Sequence, residues 1–306
     1  MTTPDPYSRS NKPVLTLLAG VAIGGAAVAA TLWWVSAPTP VSAARIAGLT
    51  GDPQNGEAVF HAGGCASCHM APASDADPLV LAGGRAFASD FGTFHAPNIS
   101  SDPVHGIGAW SQDEFINAVM AGVSPDGQHY YPAFPYTAYI KADPQDIADL
   151  YAFMTTLPAD ATPSRAHDLA FPFNIRRSVG VWKALYLDDD WTITGDLTQT
   201  EARGRYLSEA LAHCAECHTP RNALGALDVS QWMLGAPNPS GQGRIPAISG
   251  PDFNWSLFDI SAYLESGFTP DFDVVGGSMA AVVNSLQQLD KSELDAIAAY
   301  ILRTNP

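Results

Sequence analysis

Basic residues are scarce in this sequence, and their scarcity excludes one large class of partner. The 306 residues include 15 Lys and Arg against 31 Asp and Glu, which gives a formal net charge of −16. Binding to nucleic acid depends on clustered Lys and Arg that neutralise phosphates. We therefore expect no nucleic-acid partner. We expect a protein partner to carry a basic docking surface, because opposite charges steer the encounter.

Cysteine is also scarce, and its placement leaves none for structural disulfides. All four cysteines lie in two Cys-x-x-Cys-His runs, in which two thiols can add to the vinyl groups of one haem while the His reaches the iron. A thioredoxin-like redox pair does not require that His, and a four-Cys zinc site would need two distant pairs to meet. The sequence therefore predicts two covalently bound haem c groups. The residues that would hold them are Cys65, Cys68, His69, Cys214, Cys217 and His218.

A stretch near the N-terminus lacks charge altogether. Residues 13–44 contain no charged side chain, and their core from Val14 to Val35 matches a membrane span of roughly 20 residues. Arg9 and Lys12 precede this core, which predicts that the N-terminus lies in the cytoplasm. We therefore predict a cytoplasmic tail over residues 1–12 and a transmembrane anchor over residues 13–36.

A cleaved signal peptide is the alternative interpretation of the same stretch. Val41, Ser42 and Ala43 form an acceptable small-residue cleavage site. The apolar core is longer than the ~7–15 residues of a signal-peptide core, which favours the uncleaved anchor. In both cases the chain after Arg45 is expected outside the cytoplasm.

The rest of the chain contains an internal repeat, residues 50–160 and 200–306. Each copy reads as a helix, a Cys-x-x-Cys-His turn, a Gly/Pro-rich loop, a middle helix, a second loop and a closing helix. The sequence therefore predicts an all-α fold with two tandem cytochrome c domains behind an N-terminal transmembrane helix. Three pairs keep one register without a gap: Trp110 and Trp255, Gly122 and Gly267, and Phe134 and Met279.

Residues 161–199 connect the two copies and are too apolar for a structureless loop. We expect this linker to pack on both domains. It carries Arg176 and Arg177, which we interpret as ordinary surface charges rather than as contacts to a haem propionate.

The iron needs a further ligand opposite each histidine. Met279 follows two glycines before the closing helix and is predicted to be the sixth ligand of the second haem, which suits electron transfer. The equivalent position in the first copy is Phe134, which cannot ligate iron. The alternatives there are His129 first, His95 or Met120, a five-coordinate iron behind an apolar lid, or a water.

Several segments resemble the cytochrome c subunits of bacterial membrane-bound alcohol and related sugar-acid dehydrogenases. They are GGCASCH, LAGGRAF, FGTFHAPNIS, GIGAW, GVSPDGQHYYPAFPYT and AHCAECHTPRNALGA. The resemblance implies tandem cytochrome c domains on the outer face of the inner membrane that accept electrons from a periplasmic dehydrogenase. It also implies covalent attachment at both Cys-x-x-Cys-His runs and an axial role for Met279. Those subunits commonly carry three haem motifs where this chain has two, and commonly have Met at the position of Phe134.

Two functions of different classes follow from these patterns. The first is a membrane-anchored electron carrier between a dehydrogenase or another donor and the respiratory chain, with a soluble cytochrome or an oxidase as a further redox partner. It would be located in the bacterial inner membrane with its haem domains in the periplasm. The second is a di-haem redox enzyme of the peroxidase or thiosulfate-oxidising type, which would use an open or unusually ligated first haem. No acid/base pair in the sequence commits to a reaction, which favours the carrier.

Overall fold

The computed structural model describes residues 12–73, 77–239, 241 and 243–305, and these are mostly helical. Arg9 and the predicted cytoplasmic tail, except for its last residue, lie outside the described residues. The α-helices in the described part are α1 (Lys12–Val35), α2 (Ala43–Ile46), α3 (Pro53–Ala62), α4 (Cys65–His69), α5 (Gln112–Ala121), α6 (Tyr136–Tyr139), α7 (Pro144–Met154), α8 (Val179–Tyr186), α9 (Gln199–Arg205), α10 (Ala215–His218), α11 (Leu257–Ser266), α12 (Ser278–Leu286) and α13 (Lys291–Arg303).

Two small sheets correct the all-α prediction. Strands β1 (Ala86–Ser89), β2 (Gly92–His95) and β3 (Asp168–Leu169) form an antiparallel sheet in the order β1-β2-β3. Strands β4 (Ala236–Pro237) and β5 (Arg244–Ile245) form an antiparallel pair. Each strand has only two to four residues. Segments this short carry too few alternating positions for a period of two to be recognised in the sequence.

In each copy of the repeat the first and last helices cross at a glycine. Helix α3 crosses α7 at Gly56, where a Cβ would overlap the backbone of Asp149. Helix α9 crosses α13 at Gly204, where a Cβ would overlap the backbone of Ala296. Only the absence of a side chain lets the two helix axes come this close. Each crossing lies shortly before the Cys-x-x-Cys-His run of its unit, so the two runs begin at equivalent positions.

The middle helices α5 and α11 begin and end in the same way. Each starts with a capping box, formed by Ser111 with Glu114 and by Ser256 with Asp259. Each ends at a glycine in the left-handed conformation, with a φ of 59° at Gly122 and 77° at Gly267. We call residues 50–160 the first unit and residues 200–306 the second unit.

A π-helix marks one difference between the units. The crossing glycine precedes the first cysteine by nine residues in the first unit and by ten in the second, as Gly56 and Cys65 compare with Gly204 and Cys214. The extra residue lies in the π-helical segment Tyr206–Leu211, which directly continues α9. A wider turn absorbs one inserted residue without changing the direction of the helix.

The buried carboxylate of Glu209 lies in this π-helix and joins three parts of the chain. It accepts hydrogen bonds from Tyr300 Oη at 2.5 Å and from the Thr192 backbone N–H at 2.8 Å. Lys141 Nζ of the first unit lies 3.6 Å away. The same side chain therefore links the first unit, the linker and the closing helix.

The C-terminal end of α1 packs against the linker. Arg177 donates to the Trp33 carbonyl at 2.7 Å and to Ser36 Oγ at 3.0 Å, and its guanidinium lies 4.3 Å from the centre of the Trp33 ring. Arg176 lies over the ring of Tyr131. The interpretation of both arginines as ordinary surface charges is therefore wrong. It failed because these partners lie 45 or more positions away in the sequence.

Candidate haem sites

The first Cys-x-x-Cys-His run forms a short helix, α4, which follows Gly64 in the left-handed conformation. His69 Nδ1 lies 2.9 Å from the Pro97 carbonyl oxygen. Because a carbonyl can only accept, Nδ1 carries the proton and Nε2 keeps its lone pair for a metal. The backbone N–H of Gly83 donates to the His69 carbonyl at 2.7 Å and fixes the position of the residue further.

The second run is built in the same way around α10. His218 Nδ1 lies 2.8 Å from the Pro246 carbonyl oxygen, and the N–H of Gly235 donates to the His218 carbonyl at 2.8 Å. In both units the accepting proline lies 28 residues after the histidine. Both imidazoles are therefore held in the tautomer that leaves Nε2 free to bind iron.

The pKa values of the motif's histidines and cysteines favour haem attachment over a redox-active cysteine pair. Burial lowers the pKa of His69 and of His218, which favours the neutral imidazole that binds metal. Burial raises the pKa of the Cys65 thiol to about 12 and that of Cys214 to about 11. A redox-active pair instead needs a lowered thiol pKa. Across the described residues, no group of three or more His, Cys, Asp and Glu side chains is arranged to hold a metal ion.

Met279, the predicted second ligand of the second haem, lies in the first turn of α12. Gly277, with a φ of 59°, precedes this helix and turns the chain into it. The Met279 side chain is half-buried and packs against the hydrophobic core. Ligation by this sulfur remains a prediction.

The first unit places an aromatic cluster at the equivalent position. The Phe134 ring packs 5.9 Å from Tyr130, 6.3 Å from Tyr136 and 6.0 Å from Tyr139, measured between ring centres. All three neighbours are tyrosines, and burial raises the pKa of each. Burial therefore favours the protonated form of these phenols.

The three side chains that are alternative ligands of the first haem have the following surroundings. His129 is buried, and its Nε2 lies 2.9 Å from the Ser36 carbonyl at the end of α1. His95 Nε2 lies 3.1 Å from the Asp168 carboxylate. Met120 is fully buried in the hydrophobic core. His95 and His129 each keep a buried Nδ1 without a hydrogen-bond partner among the described residues, so the sixth ligand of the first haem stays open among the alternatives.

The two Cys-x-x-Cys-His runs approach each other across the contact between the units. His213, which precedes Cys214, is hydrogen-bonded to the backbone of Gly63, and its ring packs against that of Tyr139 at 5.7 Å. Tyr139 Oη donates to the Gly63 carbonyl at 3.2 Å. His213 stands where the first unit has Gly64, and it shares the left-handed backbone of that glycine, with a φ of 42°. The only sequence signal for this role is its position directly before the second run.

Comparison with known proteins agrees with the assignment of haem-attachment sites. A family model described as cytochrome c matches residues 53–158. The chain is 52% identical to a di-haem c-type cytochrome of Cereibacter sphaeroides over 94% of this chain and 97% of that protein. It is 37% identical to the fructose dehydrogenase cytochrome subunit of Gluconobacter japonicus over 86% of this chain and 54% of that subunit. It is 31% identical to the gluconate 2-dehydrogenase cytochrome c subunit of Pantoea cypripedii over 81% of this chain and 58% of that subunit.

Two thiols followed by an imidazole with a free Nε2 are the donor set that covalent haem c requires, and the chain presents that set twice. The relative that matches along nearly its whole length is named for two haems. The protein therefore binds two haem c groups covalently. It belongs to the di-haem c-type cytochromes.

Proposed function

We propose that the chain is a membrane-anchored electron carrier with two tandem cytochrome c domains, residues 50–160 and 200–306. The observation that carries this proposal is the direct contact between the two haem-attachment turns through His213, Gly63 and Tyr139. Haem c supplies reversible one-electron chemistry. The role of the protein is to hold two such groups close together and to limit access of water to them.

The packing of the two units supports a fixed relation between the haem-attachment turns. Thr137 Oγ1 donates to Glu216 at 2.6 Å, and Glu216 lies within the second Cys-x-x-Cys-His run. Tyr206 Oη donates to Asp146 at 2.5 Å from the other side of the contact. Each hydrogen bond joins the first unit to the second, so the two attachment turns are held in one arrangement.

The end of the anchor supports an uncleaved N-terminus. Ser36 is buried, and its carbonyl lies 2.9 Å from His129 Nε2. The backbone N–H of Val41 donates to Asn117 at 2.8 Å. Cleavage after Ala43 would remove these contacts and expose the groups that they cover. We therefore propose that α1 remains attached and crosses the bacterial inner membrane, with both haem units in the periplasm.

The partner proposed for this carrier is a periplasmic dehydrogenase or another donor on one side and the respiratory chain on the other. The names of several relatives support this choice, because they are the cytochrome subunits of fructose, gluconate and alcohol dehydrogenases. The chain spans little more than half the length of those subunits. The identity of the donor therefore stays a proposal.

Reductive titration of the full chain in detergent, followed by addition of peroxide and cyanide, tests the carrier. The proposal expects two electrons per chain, reversible re-oxidation by an external acceptor and no turnover of peroxide. The contrary result is catalytic turnover of peroxide at the first haem. That result would favour the di-haem redox enzyme, in which the apolar side at Phe134 would serve a substrate.

A further inference from the structure

The loop that follows α11 repeats the loop that follows α5. We call residues 267–276 the second-unit loop and residues 122–131 the first-unit loop. The backbone hydrogen bonds from Thr269 to Asp273, from Phe272 to Thr269 and from Val275 to Gly267 all have counterparts in the first-unit loop, 145 positions earlier. The two backbones are therefore the same, and differences between their side chains are not imposed by the turn.

The tip of the second-unit loop carries an exposed aromatic residue where the first-unit loop has glycine. Gly127 has a φ of 69°, and Phe272 has a φ of 63° in the same turn. This backbone conformation is strained for a residue with a Cβ. Phe272 is nevertheless 86% exposed, so its ring gains almost no packing within the chain in return.

The residues on the sides of the two loops also differ in exposure: they are buried in the first-unit loop and exposed in the second-unit loop. In the first-unit loop Val123 and His129 pair across the turn and are buried, and His129 is covered by Ser36 and Gly180. The equivalent pair in the second-unit loop is Phe268 and Val274, which are 52% and 69% exposed. Within the described part of the chain, nothing covers this face in the way that the end of α1 and α8 cover the first.

The charge around this face restricts what can cover it. Residues 245–290 contain six acidic residues and no Lys or Arg, and two of the six, Asp271 and Asp273, flank Phe272. Symmetric pairing of two copies would place one acidic loop on another, and like charges oppose that arrangement. A partner with basic residues around an apolar centre complements both the exposed rings and the acidic rim.

We propose that the face formed by Phe268, Phe272 and Val274 is the docking site for a basic electron-transfer protein. The proposal rests on the carrier function proposed above. The face belongs to the segment that leads directly to Met279, so a protein bound there lies beside the predicted ligand of the second haem. Phe272 provides the central apolar contact, and its neighbouring aspartates orient the basic partner.

The test uses the full chain in detergent and a basic mitochondrial-type cytochrome c as the probe. Calorimetric titration of the two oxidised proteins at low ionic strength measures binding without electron transfer. Phe272→Gly restores the residue that the same turn has in the first unit, so it relieves strain rather than damaging the fold. Combined with Val274→Ser, it is expected to weaken the Kd about tenfold. Asp271→Asn with Asp273→Asn is expected to reduce the salt dependence of binding.

Val104→Ser is the matched control, because Val104 is 79% exposed in the first unit and lies outside this face. It is expected to leave the Kd unchanged. Unchanged affinity in the Phe272→Gly, Val274→Ser variant overturns the docking site. Sedimentation that shows a wild-type dimer and a monomeric variant also overturns it, in favour of a second copy. A reduced wild-type chain that passes no electrons to the probe contradicts the carrier function itself.

Discussion

Each haem-binding histidine is fixed through the nitrogen that does not face the iron. The carbonyls of Pro97 and Pro246 hold His69 and His218 by Nδ1 in the same way. The two proximal sides are thus equivalent, and we propose that the haems differ through Phe134 and Met279, at the predicted distal positions. A thioether ligand raises the potential of a haem relative to an iron that lacks it.

Met279→Ala is therefore expected to lower the midpoint potential of one haem, by on the order of 0.1 V, and to leave the other in place. Spectroelectrochemical titration of the variant and the wild type measures both potentials. Met154→Leu is the matched control, because Met154 is a buried core methionine that is not among the candidate ligands, and it is expected to change neither potential. If Met279→Ala leaves both potentials unchanged, the assignment of this ligand is wrong.

Lys183 is a buried linker residue whose amine binds the C-terminal end of α5 in the first unit. Its Nζ donates to the carbonyls of Ala121 at 2.6 Å and Gly122 at 2.8 Å, and it lies 4.3 Å from the centre of the Tyr136 ring. Burial lowers the pKa of this amine to about 7 from its ordinary value of 10.5. Between these two values the unfolded chain binds one more proton than the folded chain, so the contribution of Lys183 to stability rises with pH.

Comparison of the wild type with Lys183→Met tests this pH dependence. The free energy of unfolding of the wild type relative to the variant is expected to be constant below pH 7. It should rise between pH 7 and pH 10 by at most about 1.4 kcal/mol per pH unit. Denaturant unfolding in detergent at several pH values measures the difference. A difference that falls as pH rises would show that the folded state favours the charged amine.

At the scale of elements, the π-helix Tyr206–Leu211 changes which side chain faces inward. It places the Glu209 carboxylate at the position that a neighbouring residue would occupy in an α-helix. Glu209 is thereby buried between Tyr300, Thr192 and Lys141. Removing one partner from a buried ionic network leaves the others without compensation. This element therefore contributes to stability as well as to the direction of the chain.

Glu209→Ala is expected to lower the free energy of unfolding by about 3 kcal/mol. Glu293→Ala, which removes the exposed ion pair with Arg203, provides the control and should cost less than about 1 kcal/mol. Chemical denaturation of the three proteins under one set of conditions gives the comparison. Equal costs for the two substitutions would mean that Glu209 does not hold the units together.

The contact between the C-terminal end of α1 and the linker is a second feature whose role can be measured. Gly180 packs against Ser36 and His129 so closely that a Cβ would lie 2.7 Å from His129 Nε2. Gly180→Val is therefore expected to displace the end of α1 and to speed tryptic cleavage after the exposed Arg45 severalfold. Arg165→Ala, at a side chain that is 65% exposed, is the control. Cleavage at the wild-type rate would show that α1 is not held by this contact.

At the scale of the whole molecule, the sequence predicted the features that depend on local chemistry. The two Cys-x-x-Cys-His runs, the middle helix of each unit and the apolar helix that ends at Val35 each rest on residues close together in the chain. The short strands, the π-helix and the contacts of Arg177 depend on partners that only the fold brings near. The same holds for His213, whose neighbours Gly63 and Tyr139 lie far away in the sequence.

Two haem groups that share equivalent proximal histidines but have different predicted distal sides should differ in potential. A spectroelectrochemical titration of the full chain in detergent tests it most directly. We expect two reversible one-electron steps at clearly separated potentials, the higher of them sensitive to Met279. One two-electron step at a single potential, or a chain that takes up only one electron, would contradict it.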